Sequence, residues 1–126
     1  MSDHTGERIS EAELAVMEIL WAESPLTAMD VAERIDPARG WSDRTVKTML
    51  GRLLAKGVLA YEEDGRRYLY RPLVARAAHV AGSTRRLVDR LFGGRAAPLV
   101  AHLAENHALS DADIAELEAL VKELRK

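Results

Sequence analysis

Residues 41–71, WSDRTVKTMLGRLLAKGVLAYEEDGRRYLYR, decide the fold of this chain. The stretch begins with Ser42, a residue type that caps helix N-termini well. Apolar residues then recur with the 3.6-residue period of one helix face, and Gly57 follows where a helix would end. Lysine and arginine occupy several of the polar positions. The sequence therefore predicts an amphipathic helix with a basic outer face and a buried face formed by Val46, Leu50, Leu53 and Leu54.

Two short strands follow this helix without a linker. Residues 58–63 and 66–71 favour strands, and Asp64-Gly65 between them is a strong signal for a tight hairpin. Arg66 and Arg67 are then expected at the hairpin tip. This order of elements is that of a winged helix-turn-helix, in which a helix enters the DNA major groove and a wing meets the phosphates beside it.

Two further helices are predicted before the basic helix. Ser10 and Glu13 form the capping-box pattern, followed by a strongly apolar run. Thr27 can cap the second helix, and Pro37 ends it because the residue before a proline is displaced from the helical region. The buried face of this second helix is expected to consist of Met29, Val31, Ala32 and Ile35.

Helical patterns return after residue 72. They break at Gly93-Gly94 and start again at Ser110, and the last helix repeats apolar residues at the three- and four-residue steps of an a/d seam. The fold class expected is mainly α with a small β-hairpin wing. We expect residues 1–72 to form a winged helix-turn-helix domain and residues 73–126 a helical dimerisation region.

Charge is distributed unevenly along the 126 residues. The net charge is −2, but residues 1–38 carry −7, residues 39–72 carry +4 and the remainder carries +1. The positive charge is thus concentrated in the segment that carries the basic helix and the wing. Phosphate neutralisation by a nucleic-acid-binding protein requires this arrangement.

The remaining composition excludes several classes of protein. There is no cysteine, hence no disulfide or thiolate site, and no apolar run or signal-peptide pattern predicts membrane insertion, so a cytoplasmic protein is expected. No catalytic motif is present, which predicts a protein that is not an enzyme and has no cofactor. His102 and His107 do not share a helix face, so no metal site is expected and solvent-exposed histidines are favoured.

Some features allow two interpretations. The basic helix could dock on an acidic protein instead of DNA, and a protein–protein winged-helix module is therefore the alternative function. The tyrosines of the hairpin, Tyr61, Tyr68 and Tyr70, could stack on nucleic acid or pack the wing against the helices, and we favour packing. Trp21 and Trp41 are expected at the core or the domain edge.

Motifs along almost the whole chain occur at a recognisable spacing. They are residues 9–21, Trp41-Ser42, Thr45-Val46, Arg52-Leu53, Lys56-Gly57, Arg67-Tyr68-Leu69-Tyr70, Gly93-Gly94 and residues 109–117. Together they resemble the penicillinase-repressor (BlaI/MecI/CopY) family of winged-helix transcriptional regulators, some of which respond to antibiotics. The resemblance implies a homodimeric repressor whose N-terminal domains bind double-stranded, pseudo-palindromic operator DNA and whose C-terminal helices dimerise.

The resemblance also implies roles by position. In the major groove it places Arg44, Thr45, Lys47 and Thr48. On the DNA backbone it places Arg52, Lys56, Arg66 and Arg67. In the dimer interface we expect Leu87, Leu91, Leu99, Leu103, Ile114, Leu117, Val121 and Leu124.

The chain departs from the family pattern at two places. Asp43 stands where relatives often have proline, and its carboxylate would repel a nearby phosphate. The β-lactam-responsive members are released by cleavage of an Asn-Phe bond, but the corresponding residues 99–103 read LVAHL. Release by proteolysis of the C-terminal region, with a membrane-embedded metallopeptidase as sensor, is therefore an expectation that lacks its usual target bond. The C-terminal cysteine motif of the copper-responsive branch is absent too.

Overall fold

A computed structural model of the chain describes residues 9–126, and the N-terminal residues considered above for a signal peptide lie outside them. Within these residues the fold is mainly helical with one antiparallel hairpin. A 3₁₀ turn, Pro37–Arg39, lies between the second and third helices. The elements are α1 (Glu11–Ala22), α2 (Ala28–Arg34), α3 (Asp43–Ala55), β1 (Leu59–Asp64), β2 (Arg67–Pro72), α4 (Arg76–Phe92), α5 (Ala96–Glu105) and α6 (Asp111–Leu124).

Helix starts follow the predicted capping residues. Ser10 and Thr27 each accept a hydrogen bond from the backbone of the third helical residue, whose own carboxylate accepts one back from the cap. Ser42 caps α3, and Ser110 forms a third such capping box at α6. These reciprocal bonds satisfy backbone N–H groups that have no partner within the helix. The predicted starts are therefore confirmed.

The helices α1–α3 and the hairpin enclose one apolar core. Met17, Leu20 and Leu50 are among its fully buried members, and Trp21 and Trp41 pack against its edge as predicted. The prediction for Met29 is wrong, because this side chain is 68 % exposed. Met29 precedes the buried Val31 by two residues, which places it about 200° further round the helix, on the solvent side.

The hairpin is confirmed, but its loop lies one residue later than predicted. Asp64 pairs with Arg67, so the loop consists of Gly65 and Arg66. Gly65 has a φ of 66°, the left-handed conformation that glycine adopts at the first loop position of a type II′ turn. At the base of the hairpin, Leu26 exchanges two backbone hydrogen bonds with Tyr70, of 2.8 and 3.1 Å, which ties the start of α2 to the wing.

The chain divides into two compact units after Ser83, within α4. The first unit keeps the beginning of α4 through the indole N–H of Trp21, which donates to the carbonyl of Val74 at 2.8 Å, and through an ion pair between Arg76 and Glu18. The functional division predicted at residue 72 stays a prediction. No helix in residues 9–126 has both the length and the apolar character needed to cross a membrane.

The second unit, residues 84–126, has a different character. None of the residues of α5 and α6 is fully buried, and neither is any residue of α4. The predicted end of α4 at Gly93-Gly94 is confirmed, with φ values of 61° and 80° at these glycines. The end of α5 has the same left-handed geometry at His107, whose φ is 57°. The helix ends are thus well defined although no enclosed core lies beneath them.

Candidate nucleic-acid interface

The orientation of α3 is set by its apolar stripe. Val46, Leu50 and Leu53 are buried against α1 and α2, so the opposite side of the helix faces outward. Arg44 and Thr48 lie at the centre of this outward side, and both are exposed. Lys47 and Arg52 flank them and are exposed as well, whereas Thr45 is half-buried. The outward face of α3 is defined here as Arg44, Lys47, Thr48, Gly51, Arg52 and Ala55. It combines three cations with the smaller residues Thr48, Gly51 and Ala55.

The two threonines of α3 use their hydroxyl groups within the helix. The Oγ1 atom of Thr45 lies 3.1 Å from the Oγ of the capping Ser42. The hydroxyl of Thr48 donates to the backbone carbonyl of Arg44 at 3.0 Å. The hydroxyl hydrogen of Thr48 is therefore used inside the protein and is not free to bond to a base.

Within residues 9–126, no neighbour requires a glycine at position 51 in the middle of α3. Glycine in a helix interior costs about 1 kcal/mol relative to alanine. A Cβ atom built at Gly51 would meet no heavy atom of the described part of the chain within 4 Å. Because Gly51 lies on the outward face, its small size leaves room for a partner that approaches the helix closely.

The wing lies beside this face. Arg66 is exposed in the loop, and Arg67 pairs with Asp64 at 2.9 Å while remaining 64 % exposed. Together with Lys47 these arginines border a concave pocket of about 520 Å³. The structure thus brings one lysine of the helix and two arginines of the wing to a common concave surface, which is also lined by Thr27, Ala28, Met29, Tyr68 and Tyr70.

The wing tyrosines pack on one another. Tyr61 and Tyr68 stack with ring centroids 4.2 Å apart, and both are 43 % exposed. Tyr70 is buried in the core, as the packing interpretation predicts. Tyr61 and Glu63 raise the pKa of Tyr68, because a phenolate there would face other negative groups. The phenol of Tyr68 is protonated at neutral pH, as it is in an unperturbed tyrosine.

Ion pairs fix α3 at both ends to the first turn of α1. Arg39, just before α3, pairs with Glu11 at 2.8 Å, and Lys56 at its end pairs with the buried Glu13. Burial alone would raise the pKa of Glu13, but hydrogen bonds from Lys56 and Ser10 outweigh it and hold that pKa below its ordinary value. The ammonium group of Lys56 is thus paired inside the protein, and the phosphate role predicted for it stays a prediction.

The histidines of the second unit do not form a metal cluster. His102 lies within 3.3 Å of the side chain of Asn106, and His107 occupies the left-handed position after α5. In residues 9–126 no group of three histidine, aspartate or glutamate side chains could hold a metal ion.

The predicted dimer residues lie on helices that leave apolar surface open. Leu91 is 59 % exposed and Leu124 is 75 % exposed, and the other six are half-buried or exposed. An open groove of about 600 Å³ separates α5 from α6. Sequence reasoning missed Val100 and Leu120, which line this groove, although Leu120 lies one helical step after Leu117. The apolar lining of the groove is completed by Leu103, Ala108, Leu109 and Leu117.

The family profile described as "Penicillinase repressor" matches residues 9–123. The chain is 31 % identical to the penicillinase repressor of Bacillus licheniformis over 92 % of its own length and 91 % of that protein. It is 29 % identical to the methicillin resistance regulatory protein MecI of Mammaliicoccus sciuri, over 94 % and 97 % of the two chains. Among solved structures, the DNA-binding domain of the repressor BlaI is 34 % identical, with a TM-score of 0.52 over 61 % of this chain and 92 % of that domain.

Proposed function

Because the chain belongs to the penicillinase repressor family and is a DNA-binding transcriptional repressor, we propose that it acts as a homodimer on a pseudo-palindromic operator. The observation that carries this proposal is which cations of α3 and the wing have a carboxylate partner and which do not. Arg44, Lys47, Arg52 and Arg66 form no ion pair with any residue of 9–126, whereas Arg34 and Arg39 each have a carboxylate partner. Exposed cations grouped on one face are suited to DNA phosphates.

The proposed roles follow from position on the outward face. Arg44, Lys47 and Thr48 face the base edges of the major groove, and Thr45 contributes from the flank of the helix. Arg52, Arg66 and Arg67 hold the phosphate backbone on either side. Lys56, predicted on the backbone, is instead proposed as a positioning residue, since its ion pair with Glu13 fixes the end of α3.

Dimerisation is proposed through the open apolar surface of the second unit. Two recognition helices held about one DNA turn apart, roughly 34 Å, read two half-sites at once. Joining the half-sites turns the second contact into an intramolecular one, so the dimer binds far more tightly than a monomer. The residues proposed for this interface remain Leu87, Leu91, Leu99, Leu103, Ile114, Leu117, Val121 and Leu124.

Separation of the two copies is the proposed mode of release from DNA. Cleavage within residues 84–126 would separate the two copies and leave each with the free energy of one half-site. A membrane-embedded metallopeptidase is the sensor class that the resemblance implies. Since the LVAHL stretch offers no Asn-Phe bond, the proposal requires a different cleavage point, which mass spectrometry of the protein after induction would identify.

Binding to DNA from upstream of the protein's own gene, followed by footprinting, tests the proposed function. We expect protection of two symmetry-related half-sites. Lys47→Ala should change sequence preference, because Lys47 faces the groove, whereas Arg66→Ala should weaken binding to all sequences alike. Equal losses on specific and random DNA for both variants would contradict these roles. Failure to bind any DNA, with capture of an acidic protein instead, would favour the alternative of a protein–protein module.

A further inference from the structure

Thr48 occupies the centre of the outward face of α3 and has its hydroxyl turned inward. The Oγ1 atom donates to the carbonyl of Arg44, one helical turn earlier, at 3.0 Å. Since Cβ is tetrahedral, a hydroxyl held against the backbone leaves the γ-methyl group to point away from that carbonyl. Thr48 is exposed, so this methyl group is available to a partner outside the protein.

This methyl group lies among the cations Arg44, Lys47 and Arg52 on the outward face of α3. In the major groove the apolar group on a base edge is the C5-methyl of thymine, which other bases lack. Contact between two methyl groups requires the helix to come close to the base pair. Gly51 and Ala55 continue the same side of α3 and are both exposed, and an added Cβ at Gly51 would find open space. The residues that follow Thr48 on this side of α3 are therefore small enough to permit this approach.

We infer that Thr48 determines specificity by placing its methyl group against the C5-methyl of a thymine in each half-site. The inference rests on the proposed function, because it requires α3 to lie in the major groove. It also makes the proposed roles on α3 more specific. Thr48 makes an apolar contact, and Arg44 and Lys47 form the hydrogen bonds to base edges.

The test exchanges single methyl groups on both partners. The probe is the tightest duplex recovered from a randomised DNA library, synthesised with uracil replacing thymine at one symmetric pair of positions at a time. Uracil lacks only the C5-methyl and pairs as thymine does. We expect one pair of replacements to weaken binding of the wild-type dimer about 15-fold, from about fourfold for each buried methyl.

Two variants of Thr48, one that removes its methyl group and one that removes its hydroxyl group, complete the experiment. Thr48→Ser keeps the hydroxyl and removes the methyl, so it should bind thymine DNA about as weakly as the wild type binds the uracil duplex, with no further loss on uracil. Thr48→Val keeps a methyl and removes the hydroxyl, so it should retain both tight binding and the preference for thymine. Thr84→Ser, an exposed threonine of α4 outside this face, is the matched control and should behave as wild type.

The possible outcomes distinguish failure of the inference about Thr48 from failure of the proposed function. Specific binding that no uracil replacement weakens would overturn the inference and leave the proposed function standing. Loss of thymine preference in Thr48→Val with retention in Thr48→Ser would also overturn it, because the hydroxyl would then be the reading group. If the wild type selects no sequence from the library, the proposed function fails and the inference fails with it. Circular dichroism of each variant checks that the helix content of the protein is unchanged.

Discussion

The two compact units of the chain differ in how far they bury their apolar side chains. The first unit encloses Met17, Leu20, Leu50 and their neighbours completely, so its fold is stabilised by its own core. The second unit leaves leucines such as Leu91 and Leu124 more than half exposed. Burial of apolar surface is the main driving force of folding. The first unit is therefore stabilised by its own core, and the exposed leucines of the second unit form the surface that we propose is buried against another copy.

The largest expected effect comes from charging the apolar surface of the second unit. Leu117 is half-buried beside the groove between α5 and α6. We expect Leu117→Asp to give monomers by analytical ultracentrifugation and to weaken operator binding on the order of a hundredfold or more. Glu118→Ala, on the same helix but not in the seam, is the control and should remain dimeric. An intact dimer in Leu117→Asp would refute the seam assignment.

The second-largest effect is a loss of stability expected from a substitution at the end of α3, in the first unit. Lys56→Met removes the cation that pairs with the buried Glu13. We expect the free energy of unfolding to fall by about 2 kcal/mol, because a buried carboxylate loses its charged partner. Urea unfolding measures this change. The matched variant Lys122→Met, on α6 with no comparable buried partner, should be close to neutral, and a neutral Lys56→Met would contradict the positioning role.

Acidification probes the same ion pair. The folded-state pKa of Glu13 lies below its ordinary value of 4.5. A carboxylate with a lowered pKa contributes stability that is present above about pH 4.5 and is lost as the pH falls through the folded-state pKa. We therefore expect Glu13→Gln to be less stable than wild type at pH 7, with the difference shrinking between pH 4.5 and pH 3. A difference that stays constant with pH would exclude this linkage.

A smaller effect separates stability from function within α3. Gly51→Ala should raise the free energy of unfolding by about 1 kcal/mol, because alanine favours the helix and its Cβ meets no neighbour. We expect the same substitution to weaken DNA binding several-fold, since the added methyl lies where the DNA would approach. Urea unfolding and fluorescence anisotropy with labelled duplex measure the two effects. Unchanged or tighter DNA binding would show that α3 does not approach its partner on this side.

Much of this fold was predictable because its signals are local. The caps Ser10, Thr27 and Ser42 act within three residues, and the buried stripe of α3 repeats within one helix. Met29 was misplaced because α2 has only seven residues, too few for its period to fix a face. The hairpin was predicted, but its loop is Gly65-Arg66 because glycine takes the first loop position.

The site was only partly predictable, because its details depend on contacts that the sequence does not display. Glu13 and Lys56 lie 43 residues apart, so their ion pair required the folded chain. The inward hydroxyl of Thr48 uses a carbonyl one turn away, a tendency of threonine in helices that could have been anticipated. The distribution of charge along the sequence located the basic segment, and the structure shows which of its cations lie together beside the wing.

The salt dependence of DNA binding tests the central claim most directly, namely that the first unit binds phosphates and the second joins two copies. If Arg52, Arg66 and Arg67 of each copy contact phosphates, the plot of log K against log salt concentration should have a slope of about −5 for wild type, and roughly half that for monomeric Leu117→Asp on a half-site. A slope near zero for the wild type on its selected operator would contradict the account.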